Sequence, residues 1–223
     1  MAQVHGVPGE WARVKGVVLG MWPNFVGVFV AGFALALWIW GHAGIGAVTF
    51  AVAVAFSCWA ATRGLRRVER FFKGARGEEK VAGVLAGLPD GYHVFNDFKA
   101  GSGYVDHVVL GPTGVFSVET KCWAGEVTLE EGSVLINGRL PSRDPVPQAV
   151  KECELVRGGL AAVGWKGRVV PVLVFASDNF RASAIEVGGA VVMNSSGLVK
   201  AITAGSQILS ESEIRRLVSI IEN

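Results

Sequence analysis

An α/β domain following a two-helix transmembrane hairpin is the architecture this sequence predicts, on three observations. Residues 16–62 contain no Asp, Glu, Lys or Arg. Residues 104–110 (YVDHVVL) and 115–121 (VFSVETK) are rich in β-branched and aromatic side chains and are joined by Gly111-Pro112-Thr113-Gly114, a strand, turn, strand signal. Around that hairpin, helical and strand-like segments succeed one another in the order α-β-β-β-α-β, which suits a mixed sheet flanked by helices.

Within the uncharged stretch, residues 17–40 and 45–61 are almost wholly apolar, each near the roughly 17–25 residues that cross a bilayer. Gly41-His42-Ala43-Gly44 is a short turn between them, so a lipid bilayer is the first expected partner. Pro23 and Asn24 are expected at the entry of the first helix, and Trp22, Trp38, Trp40 and Trp59 fall near the ends of the spans, as interfacial tryptophans do. A cleaved signal peptide would have a shorter apolar core, and a helical pair buried in a soluble core would show a polar stripe. A single span with a re-entrant second segment is the remaining alternative. Arg13 and Lys15 precede the first span and Arg63, Arg66, Arg67, Arg70, Lys73 and Arg76 follow the second, while the turn carries none. The positive-inside rule then places both termini in the cytoplasm, at the cell (inner or plasma) membrane. The same basic run is open to reading as a nucleic-acid or anionic-lipid patch. Residues 1–16 thus form a cytoplasmic N-terminal segment, 17–62 the hairpin, 63–76 a basic juxtamembrane linker and 77–223 the α/β domain.

In that domain, residues 78–88 have apolar positions Val81, Val84, Leu85 and Leu88 at helical spacing and stop at Pro89-Asp90-Gly91. Residues 92–97 begin the sheet and, after a turn at Gly101-Ser102-Gly103, the hairpin described above follows. Residues 126–129 and 134–136 suggest a second, smaller hairpin. Residues 147–163 read as a helix ended by Gly164, and 169–175 as a strand buried on both faces. A short strand at 190–193 and helices at 196–202 and 210–221 complete the order, the last opening on the capping box Ser210-Glu211-Ser212-Glu213.

The hairpin carries the candidate chemistry. If Pro112 and Thr113 are the central turn residues, Gly111 faces Gly114 and counting outward sets Asp106 opposite Glu119, their β-carbons roughly 4.5–5.5 Å apart. Lys121, two residues beyond Glu119, returns to the same face. Converging carboxylates repel unless a cation lies between them, and hard oxygen ligands suit Mg²⁺ or Mn²⁺. A surface charge cluster is the plain alternative for this pattern alone.

The flanking residues resemble the nuclease-related domain (NERD) family, whose members are similar to the PD-(D/E)xK restriction-endonuclease-like fold. The resemblance runs through Gly74-Ala75-Arg76-Gly77-Glu78-Glu79, Tyr92-His93-Val94-Phe95-Asn96-Asp97, Val105-Asp106-His107-Val108 and Gly114-Val115-Phe116-Ser117-Val118-Glu119-Thr120-Lys121-Cys122-Trp123 to Pro147-Gln148. It implies a restriction-endonuclease-like core in which Asp106 and Glu119 are metal ligands, Lys121 orients or activates the attacking water, and Glu78 completes the metal shell. Gln148 would touch the metal water or a phosphate, although a helix-surface role is equally open. Related nucleases often place a Tyr four residues after such a Gln, where this chain has Glu152. The implied activity is Mg²⁺- or Mn²⁺-dependent hydrolysis of nucleic-acid phosphodiester bonds, DNA ahead of RNA, on the cytoplasmic side. The alternative is a non-catalytic, membrane-tethered nucleic-acid-binding or scaffold module on the same fold.

Charge is divided unevenly. Residues 1–76 hold 8 Lys+Arg against 2 Asp+Glu, and residues 77–223 hold 13 against 17, so a basic collar adjoins a domain of net −4. A domain that gripped duplex DNA by phosphate neutralisation would be basic over a broad face. Cys58, Cys122 and Cys153 lack metal or redox spacing, free thiols being expected of a cytoplasmic domain, and His107 is expected to pack on the face opposite Asp106.

Overall fold

The computed structural model describes residues 1–101, 103–177, 179–180 and 184–222. The chain forms two compact units, one of Met1–Gly9 with Gly74–Asn223 and one of Glu10–Lys73.

The first unit is a mixed α/β domain. Its seven-stranded sheet runs in the order β1 (Gln3–His5), β2 (His93–Ala100), β3 (Gly103–Gly111), β4 (Gly114–Lys121), β7 (Val169–Phe175), β9 (Ala190–Asn194) and β8 (Ile185–Val187). The β2-β3-β4 meander is antiparallel, β4, β7 and β9 are parallel, and β8 closes the far edge antiparallel to β9. The small hairpin β5 (Val127–Glu130) and β6 (Ser133–Ile136) stands apart as a two-stranded sheet. Two of the sheet strands, β1 and β8, have no counterpart in the sequence reading. They are three residues long, too short for a period to register, and lie next to strands that supply the pairing: Gln3 donates its N–H to the Tyr92 carbonyl at 2.9 Å. The turn expected at Gly101-Ser102-Gly103 includes Ser102, which lies outside the described residues.

Helices cover both faces of the sheet. The last turns of α2 (Ala43–Leu85), through Val81 and Leu85, and α4 (Leu198–Thr203), through Leu198 and Ile202, share a core with Val109, Phe116, Val118 and Val172. On the other face α3 (Pro145–Ala162), through Cys153, Val156 and Leu160, and α5 (Glu211–Ile221), through Ile214 and Leu217, pack with Val108, Leu110 and Val115. The alternation of Val115 and Phe116 between these clusters is the two-residue period of a strand buried on both sides. The Ser210 capping box opens α5 as the sequence predicts.

The second unit consists of α1 (Glu10–Ile39) and α2 up to Lys73. Residues 63–76 continue α2 without a break, because nothing between the second apolar segment and Leu85 removes a helical hydrogen bond. Both helices are long and apolar enough to cross a bilayer, and only 17% of the most apolar window of each is buried. Phe25, Val28, Phe29, Ile45, Val48 and Val52 face outward, whereas Gly16, Gly20, Gly27 and Ala34 are buried in α1. The contact is too tight for larger residues: a Cβ on Gly64 would lie 2.2 Å from the Gly20 carbonyl oxygen and one on Gly27 2.0 Å from Ser57 Oγ. Apolar outside and small inside is the arrangement helices adopt when lipid, not water, surrounds them. Pro23 lies inside α1, a correction to its expected place at the helix entry. Its missing N–H leaves the Leu19 carbonyl without an α-helical donor, and Arg67 Nη1 donates to that oxygen at 3.2 Å.

The turn that sets the β3–β4 register is held from outside. Gly111 pairs with Gly114, the Tyr92 ring lies over Gly111, Tyr92 Oη and Thr113 Oγ1 share a 2.9 Å hydrogen bond, and Thr113 Oγ1 donates to the Ile202 carbonyl at 2.7 Å. A Cβ on Gly111 would sit 2.1 Å from Tyr92 Cδ1, with two further ring atoms within 2.7 Å. Gly111→Ala is therefore expected to destabilise the domain by about 1–3 kcal/mol through overpacking. A thermal or denaturant midpoint unchanged from wild type would show that the ring does not hold the turn.

Candidate active site

Four elements deliver side chains to one end of the sheet: β3 brings Asp106, β4 brings Glu119 and Lys121, α3 brings Gln148 and Glu152, and α2 brings Glu78. The printed β3–β4 ladder ends at His107↔Val118, and the same register one step outward sets Asp106 opposite Glu119, as the turn count predicts. The Thr120 N–H donates to Asp106 Oδ2 at 2.8 Å, tying the two strand ends together. Glu119, only 3% exposed, lies on a strand buried on both faces. The start of α3 is fixed by Asp144, whose side chain accepts from the Val146 N–H at 3.0 Å, with Pro145 in the first turn. That start places Gln148 and Glu152, four residues apart, on one helix face. Glu78 follows Gly77, where a Cβ would meet Cys122 Cβ at 2.6 Å, so the glycine lets α2 approach the end of β4.

The polar groups form one network. Lys121 Nζ pairs with Glu119 Oε1 and donates to Gln148 Oε1 at 3.1 Å. Gln148 Nε2 donates to Glu119 Oε1 at 2.7 Å and to Glu152 Oε1 at 2.9 Å. Glu152 Oε2 is buried and receives no donor, as befits an oxygen that itself carries a proton. Sequence reasoning left Glu152 out of the site; its signal was the four-residue spacing from Gln148. All five residues singled out from the sequence, Glu78, Asp106, Glu119, Lys121 and Gln148, are brought together.

Ionisation follows from burial and neighbours. Burial, then the charges of Glu119 and Glu78, raise the Asp106 carboxyl well above the usual carboxylate range, against the lowering effect of the Thr120 N–H. Part of Asp106 still reaches the surface, but protein atoms surround its carboxylate, and the direction is that of a group crowded by like charge. Burial also pushes Glu119 up, but the hydrogen bond from Glu152, the Lys121 ammonium and a hydrogen bond from Asp106 outweigh it, so Glu119 is lowered. Burial and the Glu119 neighbour push Glu152 to about 9. For Lys121, burial favours the neutral amine, but Glu119, Asp106 and Glu152 more than compensate and its pKa is raised. At neutral pH Glu152 thus retains its proton beside a Glu119 carboxylate and a Lys121 ammonium, and the Asp106 carboxyl is shifted in the same direction as Glu152. His107, on the other side of the strand, shares a 2.8 Å hydrogen bond with Asn96 Oδ1, and burial lowers it to about 4, so it is neutral and packs.

The donor set is one of hard oxygens, and its carboxyl groups exceed the ammonium facing them, so the residues suit a divalent cation such as Mg²⁺ or Mn²⁺. The oxygens are not already arranged around one point: among the described residues no group of three His, Cys, Asp or Glu side chains is spaced to hold an ion. The carboxyl groups engaged with Lys121, Gln148 and Thr120 have to turn for coordination.

A profile of the nuclease-related domain family (NERD) matches residues 73–176, which include every residue of this cluster. Those residues are a nuclease-related domain. No curated protein and no solved structure matches the chain.

Glu152 makes stability pH-dependent. Its folded pKa, about 9, lies above the 4.5 of the free side chain, so the folded state holds a proton that the unfolded chain releases, and stability falls as pH rises across that window. Without divalent metal, Glu152→Gln is expected to raise stability at pH 7–8 by of order 2 kcal/mol and to flatten the decline between pH 5 and 9. Denaturation midpoints across that range measure it; a parallel decline in wild type and variant would mean that Glu152 is ionised in the folded protein.

Proposed function

We propose that the nuclease-related domain of this chain is a Mg²⁺- or Mn²⁺-dependent phosphodiester hydrolase acting on nucleic acid, DNA ahead of RNA, and held at the cytoplasmic face of the membrane. One observation carries the reading: strand register, helix start and close glycine packing converge Asp106, Glu119 and Lys121 on one spot, with Glu78, Gln148 and Glu152 beside them. Asp106 and Glu119, with Glu78, would hold the ion, which when bound polarises a phosphoryl oxygen and lowers the pKa of its water. Lys121, whose pKa is raised, acts as a fixed cation that positions the attacking water or a phosphate oxygen and does not serve as a base. Gln148 holds the Lys121 ammonium on one side and Glu119 on the other. The net −4 of residues 77–223 favours a second reading, a membrane-tethered binding or scaffold module that does not cut.

Cleavage assays on the purified chain with Mg²⁺ or Mn²⁺ separate the two. Lys121→Ala and Asp106→Asn should each abolish metal-dependent cleavage. Asp106→Asn should leave metal-free thermal stability unchanged or slightly higher and shrink the stabilisation that millimolar Mn²⁺ confers by mass action. Cutting by either variant at the wild-type rate, or a wild type that Mn²⁺ does not stabilise, would favour the scaffold.

Two spans and cytoplasmic termini are supported by β1. Residues 3–5 pair with residues 93–95 in one sheet, which favours a reading with the chain before α1 and the domain after α2 on the same side of a membrane and an even number of crossings. The basic residues flanking the apolar segments assign that side to the cytoplasm. External thiol labelling should reach a cysteine placed at His42 and not one at Ser206; the reverse pattern would overturn the orientation.

A further inference from the structure

Arg63 lies three and four residues before Arg66 and Arg67, and Arg70 three and four after Arg67 and Arg66, so the four form a single stripe on α2. The stripe lines a cleft of about 450 Å³ whose opposite wall is Leu19 and Pro23 of α1. The cleft straddles the end of the uncharged stretch of residues 16–62, with Trp59 and Ala60 on one side of that boundary and the arginines on the other. The Arg63 guanidinium lies over the Trp59 ring, 4.3 Å from its centroid, and Arg67 is anchored on the Leu19 carbonyl that Pro23 leaves without a helical donor. Among the described residues none of the four is paired with a carboxylate, the partners of Arg67 and Arg70 being main-chain carbonyls. Among the described residues, four guanidinium groups gathered against an apolar wall thus have no carboxylate within ion-pair distance. Arginine forks match phosphate oxygens in pairs, and a tryptophan beside them marks the depth of lipid headgroups.

We propose that this cleft binds the phosphate of an anionic phospholipid from the cytoplasmic leaflet, its glycerol and acyl chains running along Leu19 and Pro23. The inference rests on the membrane reading above. A phosphate on nucleic acid or free in solution shares the anion chemistry, but neither uses the apolar wall or the position at the end of the uncharged segments.

The test uses the full chain in mild detergent, with native mass spectrometry to count bound phosphatidylglycerol and phosphatidylcholine. Wild type should hold phosphatidylglycerol at least about tenfold more tightly, and the triple variant Arg66→Gln, Arg67→Gln, Arg70→Gln should lose that preference, each arginine contributing severalfold. Arg215→Gln with Arg216→Gln, on the exposed face of α5, should not change it. Equal retention of the two lipids by wild type overturns the proposal whether or not the triple variant folds. Displacement of phosphatidylglycerol by millimolar inorganic phosphate, or by a short single-stranded oligonucleotide, also overturns it in favour of a soluble phosphate or a nucleic acid. Alkaline carbonate extraction of native membranes separates the underlying readings: a chain that is extracted removes the membrane reading, whereas one that stays yet shows no headgroup preference removes this inference alone.

Discussion

The contact between Glu119 and Lys121 is the constraint on which the site depends. Both groups lie on a central strand where a lone charge would cost several kcal/mol, and each can ionise there because the other does. Their two-residue spacing puts both on the α3 face of β4, and Gln148 then satisfies the polar atoms the pair leaves over. The remaining carboxyl groups adjust to that pair. With the ammonium already engaged, burial and the Glu119 charge shift both Asp106 and Glu152 toward their protonated forms.

Such a cluster is stable yet chemically expectant. Protonation answers the same repulsion that a divalent cation would answer, and a cation held there would have to reorient oxygens now bonded to Thr120 and Gln148. Glu152 adds a titratable oxygen beside Glu119. The β3–β4 register is as necessary as the charges, because a one-residue slip would turn Glu119 and Lys121 to the other face. Gly111, fitted under Tyr92, and Thr113, bonded to Ile202, prevent that slip at the turn.

The helical unit is built on the opposite pattern. Glycines of α1 and α2 meet backbone to backbone while aromatic and branched residues point away, the reverse of the sheet domain. At the end of the uncharged stretch the inversion stops and arginines line the cleft between the helices. Pro23 connects the two regimes: by removing one main-chain donor it creates an acceptor that a guanidinium reaches from the other helix. The short strand β1 links the first residues of the chain to the sheet.

Period and turn chemistry determined much of this from the sequence alone. Alternation around Gly111-Pro112-Thr113-Gly114 set the hairpin register and with it the Asp106–Glu119 pairing, and the uncharged stretch located the apolar parts of both long helices, since such patterns depend on near neighbours in the chain. Tertiary structure decided what depends on distant ones. Gln3–His5 is a strand because the edge of β2 offers it bonds, not because three residues prefer one conformation. Pro23 sits within a helix because Arg67, forty-four positions on, covers the carbonyl it exposes. Glu152 holds a proton because α3 folds it against Glu119 out of water, and protonation is set by surroundings that no local pattern of residues specifies.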